Sequence, residues 1–400
     1  MAFLFAQLLF LIFFTFHKAF SVSQQPILPN TALIFPVAKD ASTLQYTTRI
    51  QIGSPGILSK LVLDLNGPFL WADCSSSSSH KPIRSGSLKC LLANSCNLNP
   101  QNTITKTTKP GHLAEQIITV DYVSYHNSKP ISTVQNLLFS CAPTVLLHGL
   151  ASGASGILGL GRSKISLPSQ FSNSLGTRRK FSICLSGSDG VMFSGGMTSD
   201  IYKSLMYTPL ISKSSSDGYY INVKSVKVSN KRLALGTKSI DTKVSTVVPY
   251  TTMDSTTYDI FVNAFVVAAT NMNMTRVAAP ATTTLGVCFN KQNPYSVHNA
   301  PVSDSGKFSD GVPTIELVLQ SELVKWRIDG RNSMVKISDE VVCLGILDGG
   351  LSGKREIVIG GYQLEDNLLE FNLATSMLGF SSSLRQTSCS RLNLYTNHVE

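Results

Sequence analysis

Short apolar or alternating runs, each bounded by Gly, Pro, Ser or Asn, recur along most of this 400-residue chain. LQYTTRIQIG (44–53), EQIITVDYVSY (115–125), YYINVKSVKV (219–228) and TIELVLQ (314–320) are representative. Alternating Thr, Ile and Val suit a pleated surface with one face on a core, so each run predicts a strand. Helical spacing is rare. LPSQFSNSL (167–175) is one candidate. STTYDIFVNAFVVAATNM (255–272) is a better one. Its Tyr258, Phe261, Phe265 and Val266 fall near helical spacing, and Asp254 or Ser255 stands where an N-cap belongs. Many short strands and few helices predict an all-β protein.

The pattern then echoes itself. Asp64 closes an apolar strand in KLVLDLNGPFLW (60–71), and ASGILGLGR (154–162) follows with Gly159 and Gly161. In the second half, KVSTVVPYTT (243–252) again runs from strand into turn, and REIVIGGY (355–362) closes on Gly360 and Gly361. Glycines at such places let backbones pass closely. The echo predicts two similar β lobes facing each other, 23–200 and 201–400, with the boundary near Met197–Thr208.

Composition narrows the setting. Apolar residues make up 43% of the chain and charged residues 14%, which is a folded composition. MAFLFAQLLFLIFFTF opens the chain, and residues 1–22 read as a secretory signal peptide cut between Ala19 and Ser23, although no Lys or Arg precedes the run. The run is shorter than the roughly 20 apolar residues of a comfortable membrane span, and no second such segment follows. A secreted, extracellular protein without a membrane anchor is therefore expected. Eight cysteines, Cys74, Cys90, Cys96, Cys141, Cys184, Cys288, Cys343 and Cys389, suit that route, and their even number permits disulfides. Spacing alone does not choose the pairing, and no zinc-type Cys/His spacing or cofactor motif occurs. Asn273-Met274-Thr275 is a glycosylation sequon. The net charge is +10. Export and the lack of a basic stripe with interleaved aromatics argue against nucleic acid. Acidic polysaccharides, or proteins with carboxylate-lined clefts, remain as partners.

These residues resemble the pepsin-type aspartic proteases over nearly the whole chain after residue 22. LQYTTRIQIGSP is similar to the first strand pair of that family, LVLDLNGPFLW to the stretch with the first Asp-Thr/Ser-Gly triplet, and GILGLGR and IVIGGYQLEDNLLEFNLATSMLGF (357–380) to the paired strands behind the two active loops. The resemblance implies an all-β, bilobal pepsin-like fold: two pseudo-twofold-related, barrel-like domains with a few short helices. More narrowly, GLGRSKISLPSQF (159–171), RKFSICLSGSDGVMFSGG (179–196), VVPYTTMDSTTY (247–258) and LGFSSSLRQTSCS (378–390) resemble a plant subgroup. That subgroup comprises basic 7S seed globulins, extracellular dermal glycoproteins, and xylanase or xyloglucanase inhibitors. Its members carry more cysteines after the first motif, where this chain has the Ser-rich ADCSSSSSHKP (72–82). By resemblance Cys288 pairs with Cys343 and Cys184 with Cys389; the cysteines of the first lobe are left unassigned.

Aspartic proteolysis needs two carboxylates about 3 Å apart sharing one proton. Asp64 is present, but Leu65, Asn66 and Gly67 follow it, so an alkyl group replaces the hydroxyl that should come next. The second motif falls on Ser245-Thr246-Val247, so Ser245 replaces the second acid and Val247 its glycine. A serine hydroxyl has no charge to share. Asp241, in a predicted turn, and Asp254, a predicted helix cap, are the nearest acids, and neither is placed to face Asp64. No His lies near Ser245 to make it a nucleophile. The stretch matching the protease flap, NTITKTTKPGHLAEQII (102–118), lacks a Tyr and offers Lys106 and Lys109.

The subgroup resemblance implies a protein inhibitor of cell-wall glycoside hydrolases, of xyloglucanase or xylanase type, acting in plant defence in the apoplast. Glycosidases hold a carboxylate pair in a sugar cleft, and a planar Arg matches a carboxylate best. Arg385, in SSSLRQTSC (381–389), and Lys307, in VSDSGKFSDGVP (302–313), fall at or near basic contact positions of related inhibitors. Two alternatives stand beside this: a storage, peptide- or carbohydrate-binding globulin without an enzyme target, and an atypical active aspartic endopeptidase.

Overall fold

The computed structural model describes residues 31–53, 56–75, 80–124, 127–176, 178–195, 205–290, 311–381 and Cys389. The two halves of the chain are joined through one long sheet. Its shared part runs, in spatial order, through Met206–Pro209, Met377–Phe380, Leu368–Asn372, Lys180–Cys184, Asp189–Gly195 and Thr31–Lys39. Strands from the beginning, middle and end of the chain thus lie side by side. Phe181 stacks on Phe371 across this seam at 4.8 Å between ring centroids. Tyr219 packs on Phe371 at 4.5 Å and donates its hydroxyl to Leu160 O at 2.6 Å. Burial holds that phenol protonated far above its ordinary value.

Beyond the seam the same device occurs in each half. The strand Ile57–Asp64 pairs in parallel with Ala154–Gly159, with Asp64 opposite Gly159. The chain turns after Asp64 and returns as Trp71–Asp73, which runs antiparallel along the other side of Ala154–Gly159. In the second half Ile240–Val244 pairs in parallel with Glu356–Ile359, and Thr251–Met253 returns antiparallel along its other side. A late strand is therefore inserted between the two limbs of an earlier loop. The crowding this causes explains the glycines: a Cβ on Gly159 would lie 2.3 Å from Phe69 O, and one on Gly360 would lie 2.3 Å from Tyr250 C. Gly159→Ala and Gly360→Ala are each expected to lower stability by about 1–3 kcal/mol or more, read as a lower denaturant midpoint. An unchanged midpoint would mean that the limbs are not packed this tightly.

The architecture is mostly β and pepsin-like, with few short helices. The helix Leu167–Leu175 spans the predicted stretch, and the long helix covers Ser255–Asn271. Asp254 caps the latter, accepting from Thr257 N at 3.1 Å. Two expectations need correction. The 219–228 run is two strands, Ser216–Val223 and Ser225–Val228, because the chain leaves one sheet for another at Lys224. Asp241 sits inside the strand Ile240–Val244, not in a turn. Four disulfides tie the molecule. Cys184–Cys389 and Cys288–Cys343 occur as the resemblance implied, and the first half contains Cys74–Cys141 and Cys90–Cys96.

Among the described residues two ion pairs with buried carboxylates cross the halves, Lys180–Glu370 at 2.7 Å and the more deeply buried Lys39–Glu365. Lys39 Nζ lies 2.7 Å from Glu365 Oε1, with the carboxylate side chain 1% exposed. Tyr46 donates its hydroxyl to the same oxygen at 2.8 Å. Lys39 also lies over the rings of Tyr46 and Tyr362, at 5.9 and 5.4 Å from their centroids.

Candidate functional site

The two loops that follow Asp64 and Val244 meet across the interface between the halves. Thr246 Oγ1 donates to Leu63 O at 2.8 Å and accepts from Leu65 N at 3.2 Å. From the other loop, Asn66 Nδ2 donates to Val244 O at 3.3 Å. Leu63 and Val244 immediately precede Asp64 and Ser245, so the two ties are related by the pseudo-twofold. A hydroxyl makes one tie and a side-chain amide the other. Leu65 occupies the place of the second hydroxyl and is fully buried in the apolar core instead. Asn66 needs room to do its work: a Cβ on Gly218 would lie 2.3 Å from Asn66 Oδ1.

Asp64 and Ser245 occupy matched positions at the strand ends. Asp64 is fully buried and Ser245 is 1% exposed. Asp64 Oδ1 accepts from Asn66 N at 2.8 Å, and Ser245 Oγ accepts from Val248 N at 3.4 Å. Asp64 Oδ2 finds no hydrogen-bond partner among the described residues. The Thr103 hydroxyl faces the carboxyl closely enough to lower its pKa, yet outside hydrogen-bond geometry, and it too is buried without a partner there. Burial pushes Asp64 up from the ordinary 3.8. The Asn66 N–H, Thr103, Lys243 and Lys106 pull it back in that order without cancelling the burial. The acids nearest in sequence are engaged elsewhere: Asp241 Oδ2 lies 2.8 Å from Lys213, and Asp254 Oδ2 accepts from Glu356 N at 3.0 Å.

A pH signature follows. A raised native pKa means that the folded state holds the Asp64 proton more tightly than the unfolded chain does. Stability is lost as pH rises from about the unfolded value of 3.8 to the higher native value, and stays lost above it. Asp64→Asn keeps the acceptor for Asn66 and removes the charge. The variant is expected to exceed the parent in urea midpoint at pH 7, with the gap closing below about pH 4. A variant no more stable at pH 7 would refute the burial penalty.

The hairpin Gln101–Asn102 with Thr107–Thr108 covers this region. Its base is held firmly. Buried Asn102 donates to Leu146 O and His148 O, each at 2.8 Å, and accepts from Ile104 N and Thr105 N at 2.9 and 3.0 Å. Trp71 Nε1 donates to Gln101 O at 3.0 Å. The turn presents Thr103 and Lys106, the latter with φ +61°. Between hairpin and loops lies a cleft of about 930 Å³. Asn66, Thr103, Lys106, Lys243, Ser245 and Val247 are among its walls. Lys243 went unnoticed in the sequence, although strand alternation from Ser245 two residues on was the available signal. Lys109 is exposed, and it is not among the residues lining the cleft. Lys307 and Arg385 lie outside the described residues.

A two-lobed β protein with cross-tied loops, one starting from an acid and the other from a serine, defines a pepsin-like scaffold with one acid in the paired positions. The chain belongs to the xylanase inhibitor family. The family model described as Xylanase inhibitor N-terminal matches residues 46–196, and Xylanase inhibitor C-terminal matches 218–382. The chain is 41% identical to the Nicotiana benthamiana protein named "Probable aspartic proteinase GIP2", over 90% of this chain and 91% of that one. The solved structure titled "Crystal structure of edgp" superposes with a TM-score of 0.80 at 39% identity, over 90% of this chain and 97% of that one. Basic 7S globulin from soybean superposes with a TM-score of 0.77 at 28% identity, over 91% and 100%.

Proposed function

We propose that this protein is secreted, does not cleave peptides, and binds glycoside hydrolases of the xylanase or xyloglucanase type as an inhibitor. The observation that carries the loss of catalysis is that buried Asp64 and buried Ser245 stand at matched strand ends, one acid and one alcohol, with Lys243 and Lys106 as the charges acting on the acid. A carboxylate facing an alcohol has no partner with which to share a proton, so water is not activated. Membership of the xylanase inhibitor family supports the choice of partner. The four disulfides and the exposed Asn273, just past the long helix, support export and glycosylation. Among the described residues no helix is long and apolar enough to cross a membrane.

Arg385 is the proposed contact that enters the glycosidase cleft, with Lys307 beside it as a second. The test is a titration of purified protein against a panel of secreted xylanases and xyloglucan-specific endoglucanases. Stoichiometric inhibition of at least one is expected; no inhibition and no binding across the panel would end the proposal. The same sample should leave haemoglobin intact at acid pH. Pepstatin-sensitive cleavage that Asp64→Asn abolishes would establish instead an atypical endopeptidase. The likeness to basic 7S globulin favours a second reading, a storage or ligand-binding globulin, which a protein silent in both assays would support.

A further inference from the structure

The cleft above Asp64 has the wrong sign for a protease. Its walls carry five Lys or Arg side chains, Lys106, Arg162, Arg179, Lys213 and Lys243, and one acid, Asp217. Two of the cations are partly compensated. Lys213 pairs with Asp241 at 2.8 Å, and Arg162 acts on Asp217, whose carboxyl burial pushes up and Arg162 pulls back in part. The others are not matched in this way. Lys106 and Lys243 come from opposite sides, hairpin and strand, and repel each other: desolvation and then Lys243 depress the Lys106 ammonium, against the pull of Asp64. Arg179 Nε is buried without a partner among the described residues. A folded chain that gathers cations across a cleft carries a standing repulsion, and an anion between them relieves it.

The rest of the lining says what kind of anion. Seven Ser or Thr residues line the space, four of them Ser212 and Ser214–Ser216, with Asn66 and Gln101 beside them. No aromatic residue is among the lining residues, so a neutral sugar would have no ring face to stack on. The volume, about 930 Å³, is near the top of the roughly 300–1,000 Å³ range of ligand clefts. Hydroxyl density suits a polyhydroxylated chain, and unmatched cations suit carboxylates on it.

We infer that this cleft binds a short acidic oligosaccharide of uronate residues, with Lys106, Lys243 and Arg179 holding the carboxylates and the Ser-rich wall holding the sugar hydroxyls. This goes beyond glycosidase inhibition, for which Arg385 and Lys307 are the proposed contacts.

Calorimetric titration with trigalacturonic acid at low salt tests it, with cellotriose and tetraglutamate as the neutral and peptide arms. Saturable binding of trigalacturonate is expected, weakened at least tenfold in Lys106→Met and Lys243→Met, unchanged in Lys109→Met, and falling with added salt. Each of the three variants should still unfold cooperatively, with a circular dichroism spectrum like the parent's, which separates lost binding from lost fold. Cellotriose binding as tight as trigalacturonate, tighter binding of tetraglutamate, equal loss in Lys109→Met, or no binding of trigalacturonate would each overturn the inference. Glycosidase inhibition measured on the same variants should be unchanged, so the two proposals fail independently.

Discussion

Arg385→Ala is expected to weaken capture of the target glycoside hydrolase by about 30-fold or more, with thermal stability unchanged. The physical ground is the cost of leaving a buried carboxylate unpaired. Truncating one member of a desolvated, hydrogen-bonded charge pair at an interface costs about 2–5 kcal/mol, which is roughly 30- to several-thousand-fold in affinity. A guanidinium meets a carboxylate with two parallel N–H donors, so Arg385→Lys should recover only part of the loss. Two described residues flank the stretch that carries Arg385 in sequence. Buried Ser381 accepts from Leu368 N at 2.9 Å, and fully buried Cys389 is bonded to Cys184. The loss should appear mainly in the dissociation rate, read by surface plasmon resonance against an inhibited enzyme. Wild-type affinity in Arg385→Ala would remove that residue from the interface.

Lys39→Met carries the largest expected effect on stability, a loss of about 3–5 kcal/mol. The substitution keeps the apolar stem that packs beside Tyr46 and Tyr362 and removes only the charge. Glu365, 1% exposed at its side chain, would then be a buried carboxylate stripped of the ammonium 2.7 Å away. Tyr46 would remain as a donor, and a neutral phenol does not replace a cation. Because the pair links the beginning of the chain to its end, the loss should loosen the seam between the halves. Urea denaturation of Lys39→Met, Glu365→Gln and the double variant separates the terms. The double variant should be more stable than Lys39→Met alone, since neutralising both members removes the buried charge that has lost its ammonium. A double variant as unstable as the sum of the singles would show that the residues pack but do not pair.

Much of the scaffold could be read from local pattern. The helix at 167–175 and the N-cap at Asp254 follow from composition and capping chemistry within a few residues of each position. The repeated strand-and-glycine device was visible because each half must insert a late strand into an earlier loop, and only glycine admits backbones that close. The limits were as local as the successes. The run 219–228 alternates without interruption, yet the chain changes sheets at Lys224, which no neighbour in sequence announces. The turn expected at Asp241 is a strand because Ile240–Val244 is paired on both sides by segments far away in the chain.

The site divides in the same way. Residue identity alone puts an acid, Asp64, before one loop and Ser245 at the start of the other, and a serine cannot carry the charge wherever it is placed. It also determined that the hydroxyl after Asp64 is gone. Tertiary structure alone decided what took their place. The Asn66 amide reaches Val244 O across 178 residues of sequence, and Lys106 and Lys243 converge on one buried carboxyl from separate elements. Chemistry belongs to side chains and can be read one residue at a time. Electrostatics depends on distance and on exclusion of water, and those exist only after the chain has folded.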